Sequence, residues 1–266
     1  MSGSLPVARR RFLALMAVGT LAAGALLIAP AGFSQEVVIP ARPFVAEPIA
    51  HPIARTSRPM RIGVIGSGNI GGTLGELWAR AGHQVMFSDR DPALAQAQAT
   101  RVPGTRSGTG EEAIAFGAVV VVATPFGAWP ALARQYGAAL RGKIVLDPTN
   151  LSVQRDGAAA EAAVKKAGNT GEAVAGYLPG VRLVRAFNTT SYANFARHAG
   201  RPGVKMGIPI AANDSAAMAA GVQLITDLGF DAVEVGGGLS GSAKFELNGP
   251  GAGVKTAAEL KKAMGL

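Results

Sequence analysis

Six consecutive residues combine types and spacing that can do chemistry: Gly66-Ser67-Gly68-Asn69-Ile70-Gly71. Gly66 permits a tight turn. Gly68 lets the main chain approach a bulky anion with no Cβ in the way, and Gly71 lets the following helix pack closely on a strand. The N–H groups that head such a helix have no intrahelical partner, and the helix dipole adds partial positive charge there. Together they hold phosphate oxygens. The chemistry is therefore capture of a dinucleotide through its pyrophosphate, provided that a strand precedes the loop and a helix and second strand follow it.

Those elements are present. Residues 61–65 (Arg-Ile-Gly-Val-Ile) read as a short buried strand, and Leu74, Leu77, Trp78 and Ala81 mark a helix that Gly82-His83 ends. Residues 84–88 then form a second strand. At its end Asp89 lies 23 residues after Gly66, near where an acid binds the ribose hydroxyls of NAD. Arg90 is suited to the 2′-phosphate of NADP, and Ser88 adds a hydroxyl. The local chemistry is mixed, so NADP and NAD both stay open.

The rest of the chain supplies a sheet for this unit. Thr109-x-x-Glu112 is a capping box that opens a helix. Residues 118–123 are an unbroken apolar run, as in a strand buried on both faces. Thr124, Pro125 and Phe126 follow at its carboxyl end, the edge where open α/β sheets bind ligands. Phe126 and Trp129 are placed to border a nicotinamide, with the anchoring of the next helix as the favoured reading of Trp129. Further strands are expected at 143–147, 181–186, 206–211 and 232–235, with Pro209 suggesting an irregular or edge position. Asn150 and Asn188 stand at strand ends on the binding edge, where they either hydrogen-bond cofactor or acceptor or simply form turns. Asn213 is expected to cap a helix that Gly229 ends, and Thr256-x-x-Glu259 opens the last helix. The fold expected is α/β: a Rossmann-type doubly wound, mostly parallel sheet of about seven strands, with a small C-terminal helical extension.

Composition narrows the function classes. The 266 residues are 48% hydrophobic and 16% charged, which excludes a disordered chain. With no Cys there is no disulfide scaffold, Cys-ligated zinc or thiol nucleophile, and the three His are not spaced as ligands, so no metal site is expected. The net charge is +9, of which residues 1–31 hold +3, residues 32–59 hold +1 and residues 60–266 hold +5, with no basic run beyond a Lys pair in the last part. Nucleic acid is therefore not an expected partner.

Residues 1–31 read as an export signal. Arg9-Arg10-Arg11-Phe12-Leu13 fits the twin-arginine pattern. An uncharged apolar stretch follows over residues 12–29, and Ala29-Pro30-Ala31 offers small residues for cleavage. The expected location is periplasmic or extracellular, with the twin-arginine translocase as a partner during export. The other readings are a Sec signal or an N-terminal membrane anchor. Residues 32–59 contain five Pro and no helical or strand period, and read as an extended, semi-rigid linker. Residues 60–266 are the nucleotide-binding domain with its C-terminal extension.

Taken in order, these blocks resemble the coenzyme F420-dependent NADP oxidoreductases over residues 60 to about 247. The matching motifs are the 66–71 loop, Gly82-His83-x-Val85, Ala123-Thr124-Pro125, Gly142-Lys143-x-Val145-Leu146-Asp147-x-Thr149-Asn150, Val184-x-Ala186-Phe187-Asn188-Thr189, and Leu228-Gly229-Phe230-Asp231 before Val235-Gly236. The cytosolic domain of the six-transmembrane metalloreductases is similar over the same blocks. The resemblance implies NADP(H) along Gly66 to Gly71, its 2′-phosphate near Ser88, Asp89 and Arg90, and nicotinamide near Thr124, Pro125 and Phe126. Where the family usually has Ser-Arg, this chain has Asp89-Arg90. The activity implied is hydride transfer between NAD(P)(H) and a flavin, deazaflavin or related acceptor. Such transfer needs no dedicated acid or base, and no catalytic residue is assigned. A non-catalytic nucleotide-binding module and a soluble electron donor to a membrane reductase are the alternatives. An exposed edge strand makes a homodimer an expectation.

Overall fold

The computed structural model describes residues 44–266. The export signal and residues 32–43 of the linker lie outside the described residues. No helix of the described residues is long and apolar enough to cross a membrane.

Five strands alternate with helices as the glycine loop requires. They are β1 (Arg61–Ile65), β2 (Gln84–Ser88), β4 (Val119–Val122), β5 (Ile144–Asp147) and β6 (Arg182–Ala186), with the two-residue β3 (Arg106–Ser107) at one edge. β7 (Gly207–Ala212) and β8 (Asp231–Glu234) complete a sheet of order β3-β2-β1-β4-β5-β6-β7-β8. Every pairing is parallel except β6 with β7. The order through β6 is that of doubly wound dinucleotide folds, and it reverses between β1 and β4.

The expected seven strands are eight. β3 escapes the sequence because Arg106-Ser107 has neither an apolar run nor alternation; pairing of Met86 with Arg106 and Phe87 with Ser107 places it. The expectation for Pro209 also needs correction. It lies in the regular interior strand β7, where it is fully buried with its neighbours. Pairing with β6 stops at Ile210, one residue short of Pro209, so the missing N–H costs no bond to β6. The helix after β7 is capped by Asp214, whose carboxylate accepts from the Ala217 N–H at 2.7 Å, rather than by Asn213, which accepts from the Leu239 N–H at 2.9 Å.

Two apolar layers sandwich the sheet. On one face α1 (Asn69–Arg80), α2 (Pro92–Arg101), α7 (Tyr192–His198) and α8 (Ser215–Thr226) bury Leu74, Leu77, Trp78, Ala95, Phe195 and Leu224. On the other, α3 (Gly110–Phe116), α4 (Trp129–Leu140), α5 (Val153–Ala167) and α6 (Thr170–Tyr177) bury Ile114, Trp129, Leu140 and Val174 against Val120, Val122 and Val145. The all-Val β4 is buried at every residue because it supplies both layers. Both predicted capping boxes form, Thr109 with Glu112 and Thr256 with Glu259, the latter opening α9 (Ala257–Met264).

Residues 44–59 contain no helix or strand. They lie against the domain, with Ile49 and Ile53 packed on the first core layer and the Thr56 N–H donating to the Ala81 carbonyl at 2.8 Å.

Candidate functional site

The loop after β1 and the loop after β4 meet where the strand order reverses. The Ala123 N–H donates to the Ile65 carbonyl at 2.8 Å, and a Cβ built on Gly66 would lie 2.6 Å from the Ala123 carbonyl oxygen. Gly66 has φ +94°, so only a residue without a Cβ sits there without strain. A Cβ on Gly71 would lie 2.0 Å from the Gly66 carbonyl oxygen, which fixes how closely α1 returns over the loop. Gly68 differs from both. A Cβ on it would meet nothing within 4 Å, so the protein itself does not require glycine there. Open space beside a glycine at the head of α1 is the cradle that a pyrophosphate fills. Gly68, Asn69, Ile70 and Gly71 supply the N–H groups that open the helix.

Ser67 is fully buried and works within the loop. Its N–H donates to Asp89 Oδ2 at 2.7 Å and its hydroxyl to the Ser88 carbonyl at 3.0 Å. Asp89 Oδ1 also accepts from the Asp91 N–H at 3.1 Å. Asp89 therefore ties the end of β2 to the glycine loop, a task that spacing alone did not show. Ser88 is buried, and its hydroxyl donates to the Val64 carbonyl at 2.9 Å, so it is spent on the sheet. Asp89 is half-buried, and Arg90 next to it is exposed.

At the end of β4, Thr124 Oγ1 is buried and finds no hydrogen-bond partner. Orphaned hydroxyls are rare in native proteins, and one at a ligand-binding edge is what a bound polar group would satisfy. Pro125 leads into the 3₁₀ turn Phe126–Ala128. The rings of Phe126 and Trp129 are both fully buried, Phe126 beside Tyr177 at 6.3 Å and Trp129 donating through Nε1 to Thr149 Oγ1 at 3.2 Å. Trp129 is thus the helix anchor. Neither ring is presented to the cleft.

The turn is fastened by a residue that the sequence did not single out. Asp156 accepts from the N–H groups of Gly127 (3.1 Å) and Ser152 (2.9 Å) and pairs with Arg155 at 2.8 Å. Burial raises its carboxyl, but Arg155 and the two N–H groups outweigh that and hold it below the usual carboxylate range. Arg155 also donates to the Asn150 carbonyl at 2.7 Å, so this pair links the β4 and β5 ends.

Asn150 and Asn188 come together. Asn150 Nδ2 donates to the Asn188 carbonyl at 2.6 Å, while Asn188 Nδ2 donates to the Phe245 carbonyl at 2.8 Å. Asn188 Oδ1 is buried without a donor. The residue before it, Phe187, has φ +60°, the one positive φ outside glycine among the described residues. Its ring is packed edge-on against Trp78 at 5.7 Å and Phe195 at 5.5 Å, which holds the strained backbone that aims Asn188.

Beneath these amides lies an ion pair with no exposed side-chain surface: Arg185 Nη1 is 2.8 Å from Asp147 Oδ2. Burial pushes the Asp147 carboxyl up, against the pull of Arg185 and of the Thr149 N–H and hydroxyl. Arg185 also donates to the Thr149 carbonyl and lies 3.4 Å from Glu246, whose carboxylate accepts from the Thr170 N–H and hydroxyl at 2.9 Å each. The C-terminal extension is thereby pinned to the ends of β5 and β6.

Residues 61–151 match the family described as NADP oxidoreductase, coenzyme F420-dependent. That stretch runs from β1 through the end of β5 and contains the glycine loop, Asp89-Arg90, Thr124 to Phe126 and Asn150, which supports the family resemblance on the residues that build the site. No curated protein matches the chain. Among solved structures, a hypothetical protein of Sinorhizobium meliloti is 23% identical with a TM-score of 0.64, over 75% of this chain and 96% of its own. A candidate F420-dependent NADP reductase of Arthrobacter sp. FB24 is 24% identical with a TM-score of 0.57, over 70% of this chain and 87% of its own. An imine reductase of Pseudomonas sp. is 16% identical with a TM-score of 0.53, over 69% of this chain and 58% of its own. At these identities the likeness establishes a shared α/β fold.

The residues present fit a nicotinamide dinucleotide. The open side of Gly68, the N–H groups heading α1, the orphaned Thr124 hydroxyl and the orphaned Asn188 Oδ1 all lie on the carboxyl edge of β1, β4 and β6. Among the described residues no group of three or more His, Asp or Glu could hold a metal ion.

Proposed function

We propose that this chain is an exported NAD(P)-dependent oxidoreductase that transfers hydride between NADP(H) and a flavin, deazaflavin or related acceptor. One observation carries the reading: the glycine loop leaves open space beside Gly68 where the strand order reverses, and its Gly66 lies against Thr124, whose hydroxyl is unpartnered. When bound, the nicotinamide supplies the hydride or accepts it. The protein's part is to bind and orient. Residues 68–71 offer N–H donors to the pyrophosphate, and Asp89 and Arg90 face the adenosine ribose. Thr124 donates to or accepts from the nicotinamide side, and Asp156 holds the Gly127 turn against the β5 end. Hydride transfer relies on proximity and orientation, which suits an edge of amides, hydroxyls and main chain.

The twin-arginine reading supports export to the periplasm of a folded protein already carrying its nucleotide. Edge strands β3 and β8 suit association into a homodimer. Mass spectrometry of the nucleotide released from protein purified from the periplasm tests the whole reading. The expected result is NADP or NAD released in near-equimolar amount. No released nucleotide, and no heat on titration of NADPH or NADH into the same protein, would overturn it.

A further inference from the structure

The segment before β1 lies outside the residues that match the family, yet it reaches the glycine loop by two routes. The first is direct. The Val45 N–H donates to Asn69 Oδ1 at 2.8 Å. Asn69 is the first residue of α1 and the fourth of the glycine loop. A main-chain N–H can face only the oxygen of the amide, so this bond sets which end of the side chain points where. Among the described residues Nδ2 meets no protein acceptor, and its two donors stay available at the head of the helix. The second route is relayed. Phe44 lies under the Arg101 guanidinium, 4.4 Å from its ring centre, and against Gly72, where a Cβ would come within 2.7 Å of the ring. Arg101 donates to Gln98 Oε1 at 3.2 and 2.9 Å, and Gln98 Nε2 donates to the Ser67 carbonyl at 3.2 Å. Gln98 is 2% exposed, so this chain of contacts is fixed by packing.

We infer that residues 44–45 are part of the dinucleotide site: Val45 orients the Asn69 amide so that Nδ2 donates to the pyrophosphate, and Phe44 braces the loop through Arg101 and Gln98. Both are positioning residues. The inference rests on the proposed function, in that residues 66–71 must hold a dinucleotide. It assigns to the segment before the domain a role in cofactor affinity, with anchors at Ala50 (N–H to the Ala196 carbonyl, 3.2 Å) and Thr56 that hold the segment in place.

The test uses the exported protein and two probes: NADPH, and adenosine 2′-phosphate, which lacks the pyrophosphate. Val45→Pro removes the N–H; Val45→Ala keeps it. The alanine variant is expected to bind NADPH as the native chain does. The proline variant is expected to bind NADPH about tenfold more weakly, the size of one lost hydrogen bond to a charged group, with unchanged affinity for adenosine 2′-phosphate. Should the proline variant not fold, Phe44→Ala carries the test, with NADPH weakened about threefold and the fragment unaffected. Equal NADPH affinity in V45P and V45A, or equal weakening of both probes, would overturn the inference while leaving the proposed function standing. A native chain that binds neither NADPH nor NADH overturns both.

Discussion

The loop after β1 and the ends of β5 and β6 lie on one edge of one sheet, yet they are built differently. The loop is made of main chain. Its form follows from where a Cβ is missing, and its binding groups are N–H donors at the head of α1. The β5–β6 end is made of side chains: Arg185, Asp147, Asn150, Asn188 and Glu246, joined by contacts between residues 38 to 61 apart in the chain. Main chain can be left open to a ligand because the helix already holds it in place. A buried ion pair cannot be left open, because two charges taken from water are costly unless they meet each other inside. The first region is therefore a binding surface, while the Asp147–Arg185–Glu246 charges of the second are a fastening beneath Asn188, whose Oδ1 is left without a donor, and substitutions should separate the two.

The largest effect is expected at the fastening. Arg185→Met leaves Asp147 buried without its counter-charge and should cost about 3–5 kcal/mol of stability. Urea unfolding measures it, and a loss under about 1 kcal/mol would show that the pair is not the fastening described. Next comes the loop residue that packs. Gly71→Ala drives a Cβ into the Gly66 carbonyl and should destabilise by about 1–3 kcal/mol, as overpacking does, while also weakening dinucleotide binding. A stable variant with native affinity would mean that α1 can back away from the loop.

The smallest effect is a pH dependence away from both regions. His83 Nδ1 accepts from the Met60 N–H at 3.0 Å, and Nε2 lies 3.1 Å from Asp227. Burial pulls the imidazole below its ordinary value, and Asp227 only partly offsets it. The folded state thus binds fewer protons than the unfolded one just below pH about 6.5. Stability is full above that pH and falls as the pH drops through it, by at most about 1.4 kcal/mol per pH unit. His83→Asn keeps an acceptor for Met60 and should flatten the fall between pH 7.5 and 5.5. An equal slope in both proteins would place the titration elsewhere.

The same contrast explains what was legible in the sequence. The glycine spacing, the strand before it and the all-Val β4 are local patterns, and β1, α1, β2 and β4 appear where those patterns put them. Both capping boxes are local too. β3 was missed because its two residues are placed only by pairing with β2. Pro209 pointed to an edge because its sequence cannot reveal that pairing with β6 ends one residue away. At the site, Ser88 and Phe126 stand on the right edge, but their side chains turn inward to the sheet and the core. Asp156, Phe187 and the Val45–Asn69 contact left no readable signal, since each acts through a partner distant in the chain or through a backbone angle.

Gly68→Ala tests the central claim most directly. In the structure a Cβ at Gly68 touches nothing, and the residue's φ of −72° suits alanine. If a pyrophosphate occupies that space, the variant should unfold within about 0.5 kcal/mol of the native protein and bind NADPH at least about tenfold more weakly, the change that about 1.4 kcal/mol makes. Native stability together with native NADPH affinity would contradict the account.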